Sequence, residues 1–141
     1  IWSRLVGSEM CIRDSPKLKT NLDEIFLACC EGRLDKLKIE WQNKKSLCIV
    51  VCSKGYPEHF RKNVEIENIN KIYLKEEDFL FHAGTIKKNN KVFVVGGRVL
   101  NFVTLSDNFI SARENIMQNL ERLNWSGGFF RKDIGYKVID K

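Results

Sequence analysis

The sequence contains no apolar run long enough to cross a membrane. Its longest runs, such as residues 47–52, are about a third of the roughly 20 residues that a bilayer-spanning helix needs. The first fifteen residues also lack the pattern of a signal peptide, because charges interrupt the apolar stretch and no small-residue cleavage site follows. We therefore expect no membrane partner and a cytoplasmic location.

Metal ligands and catalytic motifs are scarce as well. Only two histidines are present, and no pair among the five cysteines has C-x-x-C spacing, which argues against a zinc site. There is no P-loop, no G-x-G-x-x-G and no nucleophile elbow. We expect no metal ligand and no catalytic residue in this chain, and we expect reduced cysteines that pack as small core residues.

An excess of positive charge is what the sequence does have. The formal net charge is +6, which favours an anionic partner: nucleic acid, a membrane surface or a phosphorylated small molecule. A nucleic-acid surface should interleave basic residues with exposed aromatics. Periodicity instead assigns most aromatics to the core, and we expect no nucleic acid partner; these aromatics are Phe26, Trp41, Phe79, Phe81 and Phe93.

Periodicity predicts one compact α+β domain with a small antiparallel sheet and two flanking helices. The first helix begins near Thr20 and Asp23, ends at Gly32, and has an apolar face made of Leu22, Ile25, Phe26 and Cys29. A second helix, capped by Ser106 or Asp107, runs to about Leu123 and buries Ile110, Ile116, Leu120 and Leu123. Strands are predicted at residues 37–41, 46–53 and 98–105, with a hairpin formed by 79–87 and 91–95, and a bend at 125–130.

Three glycine-bearing turns each adjoin a strand end and carry a cationic or polar side chain. They are residues 53–57 with Lys54, residues 82–85 with His82, Gly84 and Thr85, and residues 96–98 with Gly97 and Arg98. Glycine lets the backbone approach a ligand, and exposed N–H groups beside a cation suit an anion. Each turn by itself is also compatible with a simple bend or bulge.

The candidate side chains each have a functional and a structural interpretation. Arg98 could direct a guanidinium fork at phosphate oxygens, or be an ordinary surface arginine. His82 could donate to an anion or be a structural residue of its strand. Arg131 and Lys132, followed by Asp133, fit either a fourth phosphate contact or an exposed turn whose charges compensate each other.

Four ordered motifs together resemble the C-terminal domain of the phosphoribosylamine–glycine ligase family, which are ATP-grasp enzymes. They are C-I-V-V-C-S-K-G-Y-P (48–57), F-H-A-G-T (81–85), G-G-R-V-L (96–100) and F-R-K-D-I-G-Y (130–136). Residues 16–41 are similar to the stretch just before that domain. One departure lies at Asn101 and Phe102, because the family usually has glycine after Arg-Val-Leu.

The resemblance implies a ligase of purine biosynthesis that activates glycine with ATP and Mg²⁺ and joins it to phosphoribosylamine. It also implies a half-barrel-like C-terminal domain that contributes the sugar-phosphate side of the site. By position, that role falls to Arg98 and Gly97, with Lys54, His82, Gly84 and Thr85 as neighbours and Arg131 and Lys132 farther out.

The resemblance further divides the chain into three regions, one that does not match the family and two that match different domains of it. Residues 1–15 do not match the family and resemble translated sequencing-adapter read-through, so Glu9 is not a metal ligand. Residues 16–45 resemble the tail of the ATP-grasp domain, and residues 46–141 resemble the C-terminal domain. The expected partners are phosphoribosylamine, glycine and the N-terminal and ATP-grasp domains, and we expect no cofactor binding or turnover by this chain alone. The alternative is a stand-alone basic module that binds nucleic acid or a protein.

Overall fold

The computed structural model describes residues 9–139, and side chains from Cys11 onward. Its centre is a four-stranded antiparallel sheet in the order β2-β5-β1-β6. The strands are β1 (Lys45–Ser53), β2 (Asp78–His82), β5 (Arg98–Ser106) and β6 (Gly128–Phe130). A separate hairpin consists of β3 (Thr85–Lys88) and β4 (Lys91–Val94). The expected α+β class is confirmed, as an open sheet with a hairpin beside it.

The core forms where one face of this sheet packs on a long helix, α3 (Phe109–Leu123). Alternation along β1 points Leu47, Ile49 and Val51 to that face, where they are buried. Helix α3 contributes a buried stripe at three- and four-residue spacing, made of Ala112, Ile116, Leu120 and Leu123. Apolar burial of this kind is the main force that holds the sheet and the helix together.

Helix α3 differs from its prediction at its first turn. Its N-cap is Asn108, whose side-chain oxygen accepts from the Ser111 N–H at 2.8 Å, so neither Ser106 nor Asp107 caps it. Ile110 is 51% exposed because it lies two residues from Ala112, on the opposite side of the helix.

The segment ahead of β1 contains helix α2 (Leu22–Cys30). Gly32 ends it as predicted, with a positive φ of 64°. Its N-cap is Asn21, whereas the Thr20 hydroxyl oxygen accepts from the Glu40 N–H at 2.8 Å. The strand predicted at residues 37–41 is absent apart from one bridge between Leu18 and Trp41, since no neighbouring strand is there to pair with it.

The predicted hairpin is built from different strands than expected. Residues 79–87 do not form one strand, because the chain turns at Ala83–Gly84 and divides them between β2 and β3. The β3–β4 turn has Asn89 and Asn90, both with positive φ, as a two-residue hairpin loop requires.

Two expectations about the core were wrong. Cys11, Cys29 and Cys30 are exposed, and Cys48 and Cys52 are half-buried, so none of the five cysteines belongs to the fully buried core. Of the five aromatics that periodicity assigned to the core, Phe26, Trp41 and Phe81 are 60%, 52% and 36% exposed, and Phe79 and Phe93 are half-buried. Periodicity identifies an apolar side of an element, but it does not supply the element that covers it.

Two further α-helices are short, α1 (Glu9–Asp14) and α4 (Tyr136–Ile139), and three single 3-10 turns lie at Ser15–Lys17, Leu34–Lys36 and Ile69–Lys71. Within residues 9–139, no helix has the length and apolar character needed to cross a membrane.

Candidate functional site

Three glycine-bearing turns lie together at one end of the sheet. Residues 53–57 follow β1, residues 82–85 follow β2, and residues 96–98 precede β5, the strand between them. The Ser53 N–H donates to the Gly97 carbonyl, and the Gly84 N–H donates to the Arg98 carbonyl, both at 2.8 Å. The antiparallel register therefore joins the three turns that the sequence singled out.

Gly84 is the residue at which the second turn approaches the third most closely. Its carbonyl accepts from the N–H groups of Val95, at 2.8 Å, and Gly96, at 3.1 Å. A Cβ on Gly84 would lie 2.6 Å from both the Arg98 carbonyl oxygen and the Gly96 Cα, which real side chains do not allow. Glycine at this position is what lets the second and third turns meet.

Tyr56, a residue of the first turn, packs against Gly97 of the third turn. Its ring lies so close to Gly97 that a Cβ there would be 2.7 Å from Cε2 and nearer still to Cδ2. Tyr56 belongs to the first motif but was not among the predicted site residues. No local pattern could have revealed the contact, since the two residues are 41 positions apart.

The polar side chains of the three turns differ in their surroundings. Arg98 is the first residue of β5, is exposed, and pairs with Cys52 at an irregularity in the β1–β5 register. Lys54 is also exposed, and its backbone N–H donates to the Gly127 carbonyl at 2.9 Å. His82 Nδ1 lies 3.0 Å from the Thr85 hydroxyl oxygen, so these two side chains form a pair across the second turn.

Arg131 has its own acidic partner. Its Nε donates to Asp133 Oδ1 at 3.0 Å, and its Nη2 donates to Oδ2 at 2.5 Å. This bidentate hydrogen bonding raises the pKa of Arg131 and lowers that of Asp133. The geometry is the exposed, charge-compensated turn that was one of the two interpretations of residues 131–133.

Arg131 and Lys132 lie on different surfaces. Arg131 lines an apolar groove of about 440 Å³ that also includes Tyr56 and Pro57 of the first turn, together with Cys48, Val50, Cys52, Phe129, Phe130 and Ile134. Lys132 lines another groove, between the end of α3 and β6. Its carbonyl accepts from Arg113 Nη2 at 2.7 Å. Arg131 therefore adjoins the turns, whereas Lys132 is directed elsewhere.

Strand β6 supports the first turn, although residues 125–130 were predicted only as a bend. It pairs with the end of β1, where Ser53 is opposite Gly128 and Cys52 is opposite Phe129. Two consecutive glycines followed by two phenylalanines were a usable signal, because small residues allow a close approach and aromatics favour strands.

Metal ligands are not clustered here. Among residues 9–139, no group of three or more His, Cys, Asp or Glu side chains could hold a metal ion. The side chains of the three turns supply cations and a hydroxyl group, which suit an oxyanion.

Comparison with known proteins places these features in a family. The family model for the phosphoribosylglycinamide synthetase C domain matches residues 46–137. A phosphoribosylamine–glycine ligase of Caldanaerobacter subterraneus is 41% identical over 119 residues, which are 84% of this chain and 28% of that protein. The ligase of Haemophilus influenzae is 36% identical over 125 residues, covering 89% of this chain and 29% of the relative.

A solved structure agrees with these matches. The crystal structure of phosphoribosylamine–glycine ligase from Thermotoga maritima aligns with a TM-score of 0.58 and 26% identity, covering 81% of this chain and 28% of that one. The chain thus spans less than a third of the length of the relatives that it matches. The resemblance seen in the four motifs is confirmed, and the chain belongs to the phosphoribosylglycinamide synthetase C-domain family.

Proposed function

We propose that this chain supplies the sugar-phosphate side of an ATP-dependent ligase that joins glycine to 5-phosphoribosylamine in purine biosynthesis. Relatives that match most of the chain are named phosphoribosylamine–glycine ligase. The observation that carries the proposal is the meeting of the three glycine turns around Arg98. The stand-alone basic binding module is not favoured, because the domain is that of a ligase.

Arg98 is the main phosphate ligand in this proposal. A guanidinium presents two parallel N–H donors that match two phosphate oxygens, and it stays charged at any physiological pH. Its position at the start of β5 fixes its backbone on both sides, through the Gly97 and Arg98 carbonyls. Because its backbone is already held in place, only the Arg98 side chain has to become ordered when an anion binds.

The neighbouring residues complete the anion site. Gly84 and Gly97 allow the second and first turns to pack closely against the start of β5, which fixes the backbone from which Arg98 projects. The hydroxyl of Thr85 can donate to a phosphate oxygen, with its orientation set by His82. Lys54 adds positive charge from the first turn without the directional fork of an arginine.

Arg131 and Lys132 lie farther from the proposed phosphate position than Arg98 does, and we assign them secondary roles. Arg131 adjoins the first turn through the groove that it shares with Tyr56, and it contacts substrate only when it exchanges Asp133 for a phosphate oxygen. Lys132 lies on the α3 side and contributes long-range attraction of the anion.

ATP, Mg²⁺ and glycine belong to the remainder of the ligase in this proposal. ATP supplies the phosphoryl group that activates the glycine carboxylate, and Mg²⁺ offsets the charge of that group. The described residues contain no acidic cluster for the metal, and we expect no turnover by this chain alone.

The test uses a complete enzyme in which residues 16–141 replace the stretch that they match in the Caldanaerobacter ligase. We expect Arg98→Ala to raise KM for phosphoribosylamine by about 10- to 100-fold, the cost of a hydrogen bond to a charged group. KM for ATP should change less than about twofold, and Arg98→Lys should recover part of the loss.

The control is Lys87→Ala, which removes an equal charge from the β3–β4 hairpin. It should leave both KM values unchanged. Equal effects of Arg98→Ala on phosphoribosylamine and ATP, or no effect on either, would contradict the role proposed for Arg98.

A further inference from the structure

Tyr56 is held in place within the first turn. Its N–H donates to the Ser53 carbonyl at 3.0 Å, and the His59 N–H donates to the Gly55 carbonyl at 3.1 Å, so hydrogen bonds close the chain on both sides of it. Its side chain is half-buried. One neighbour of the ring is Phe60, whose centroid lies 6.5 Å away at an interplanar angle of 57°, a tilted arrangement that aromatic pairs favour. The turn therefore fixes where this ring lies.

The third turn contacts the same ring at Gly97. The ring carbons Cγ, Cδ2 and Cε2 lie nearest to the position that a Gly97 side chain would occupy. The hydrogen bond from the Ser53 N–H to the Gly97 carbonyl joins the same two turns. Hydrogen bonds to a carbonyl tolerate a broad range of angles, whereas a flat ring in close contact leaves its neighbour little room to tilt. The ring of Tyr56 therefore fixes the orientation of the third turn more closely than that hydrogen bond does.

Arg98 lies beyond the regular pairing of its strand. The paired residues of β5 and β2 end where Leu100 is opposite His82. On the other side, the register with β1 is irregular between Val51 and Cys52, and Arg98 lies opposite Cys52 just past that irregularity. An irregularity of this kind bends the strand locally and changes the direction of its side chains. The direction in which the Arg98 guanidinium projects is therefore set by how the turns pack, and the strand pairing alone does not fix it.

We propose that Tyr56 is a positioning residue for the phosphate contact of Arg98 and that it acts through Gly97. This inference rests on the proposed function, in which Arg98 binds the phosphate of phosphoribosylamine. A bidentate contact needs both guanidinium N–H groups in line with phosphate oxygens, so a backbone shift of about 1 Å weakens it. The atoms of Tyr56 that meet Gly97 are ring carbons. Phenylalanine should therefore replace Tyr56, whereas a side chain without a ring should not.

The experiment measures kcat and KM in the Caldanaerobacter ligase in which residues 16–141 replace the matched stretch. Tyr56→Ala should raise KM for phosphoribosylamine by about 3- to 10-fold, less than the loss of Arg98 itself, while kcat and KM for ATP stay within about twofold of wild type. Tyr56→Phe should keep the wild-type KM. An unchanged KM for phosphoribosylamine in Tyr56→Ala, or an equal impairment in Tyr56→Phe, would overturn the proposal.

Two further variants separate positioning from a general loss of stability. Tyr56→Leu keeps a large apolar side chain without the flat ring, so it supports the fold even where Tyr56→Ala does not, and it should raise KM for phosphoribosylamine in the same way. The matched control is Thr104→Val, which removes a buried hydrogen bond from β5. It should lower stability without raising this KM. An equal rise of KM in Thr104→Val and Tyr56→Leu would overturn the proposal.

A double-mutant cycle tests whether Tyr56 acts through Arg98. In an Arg98→Ala background, Tyr56→Leu should raise KM for phosphoribosylamine by no more than about twofold, because the guanidinium that it positions is absent. The full effect of Tyr56→Leu in that background would assign Tyr56 another route to the substrate and overturn the proposal. An Arg98→Ala variant with an unchanged KM contradicts the proposed function itself. An impaired Arg98→Ala beside normal Tyr56 variants contradicts this inference alone.

Discussion

The ring of Tyr56 lies against Gly97 and leaves no room for a side chain there. This contact joins the turn after β1 to the turn that begins β5. The Ser53 N–H, bonded to the Gly97 carbonyl at 2.8 Å, holds the same pair of turns from the other side. Arg98 is the next residue, so its backbone position depends on how Tyr56 and Gly97 pack.

Gly97→Ala should therefore destabilise the fold by about 1–3 kcal/mol, the usual cost of overpacking. Denaturant unfolding of the variant and the wild-type chain gives this difference. The control is the same change in a Tyr56→Ala background, where the added methyl has space. The contact with Tyr56 is not the cause if the cost of Gly97→Ala is equal in both backgrounds.

Gly84→Ala should be at least as costly as Gly97→Ala, at about 3 kcal/mol. Its Cβ would meet backbone atoms, the Arg98 carbonyl oxygen and the Gly96 Cα, which cannot rotate away as a side chain can. The measurement is again denaturant unfolding. A cost well below that of Gly97→Ala would show that the second and third turns separate easily.

Thr104→Val should destabilise the fold by about 1.5–3 kcal/mol. The Thr104 hydroxyl donates to Asp78 Oδ1 at 2.6 Å in a buried pair between β5 and β2, and the valine would leave that carboxylate oxygen without its donor. Thr85→Val is the matched control, because Thr85 pairs with the exposed His82. Similar losses of stability for the two variants would argue against a special role for the buried pair.

The carboxyl group of Asp133 should titrate below its ordinary pKa, because Arg131 donates two hydrogen bonds to it. A carboxyl whose folded pKa is lowered stabilises the fold above its unfolded pKa of about 4, and that stability is lost as the pH falls through the folded value. Arg131→Gln should move the pKa of Asp133 back up, as measured by carbon NMR. Lys132→Gln removes an equal charge from the adjacent residue and should leave the pKa of Asp133 low. An equal rise of this pKa in both variants would show that Arg131 is not the specific partner of Asp133.

Local pattern in the sequence was enough for the elements whose signals are strong. The apolar run at residues 46–53 became β1, residues 98–105 became β5, and a helix ends at Leu123 as its spacing predicts. The four motifs also identified the family, because their order and spacing survive without any knowledge of contacts.

Contacts between distant segments were decided only by the tertiary structure. Three contacts of this kind shape the site. Strand β6 pairs with β1, Tyr56 packs on Gly97, and the Gly84 N–H donates to the Arg98 carbonyl. Strand register and close packing depend on which element lies next to each strand or turn. The spacing of residues in the sequence does not identify that neighbour.

Helix α2 shows the same division within a single element. The sequence determined that it is a helix with apolar residues and that it ends at Gly32. Only the fold decided that Ile25 and Ala28 turn inward while Leu22 and Phe26 face outward. The physical reason is that the hydrophobic effect has no directional preference. Any neighbouring segment can bury an apolar side chain, so the position of that segment in the fold determines which face of the helix is buried.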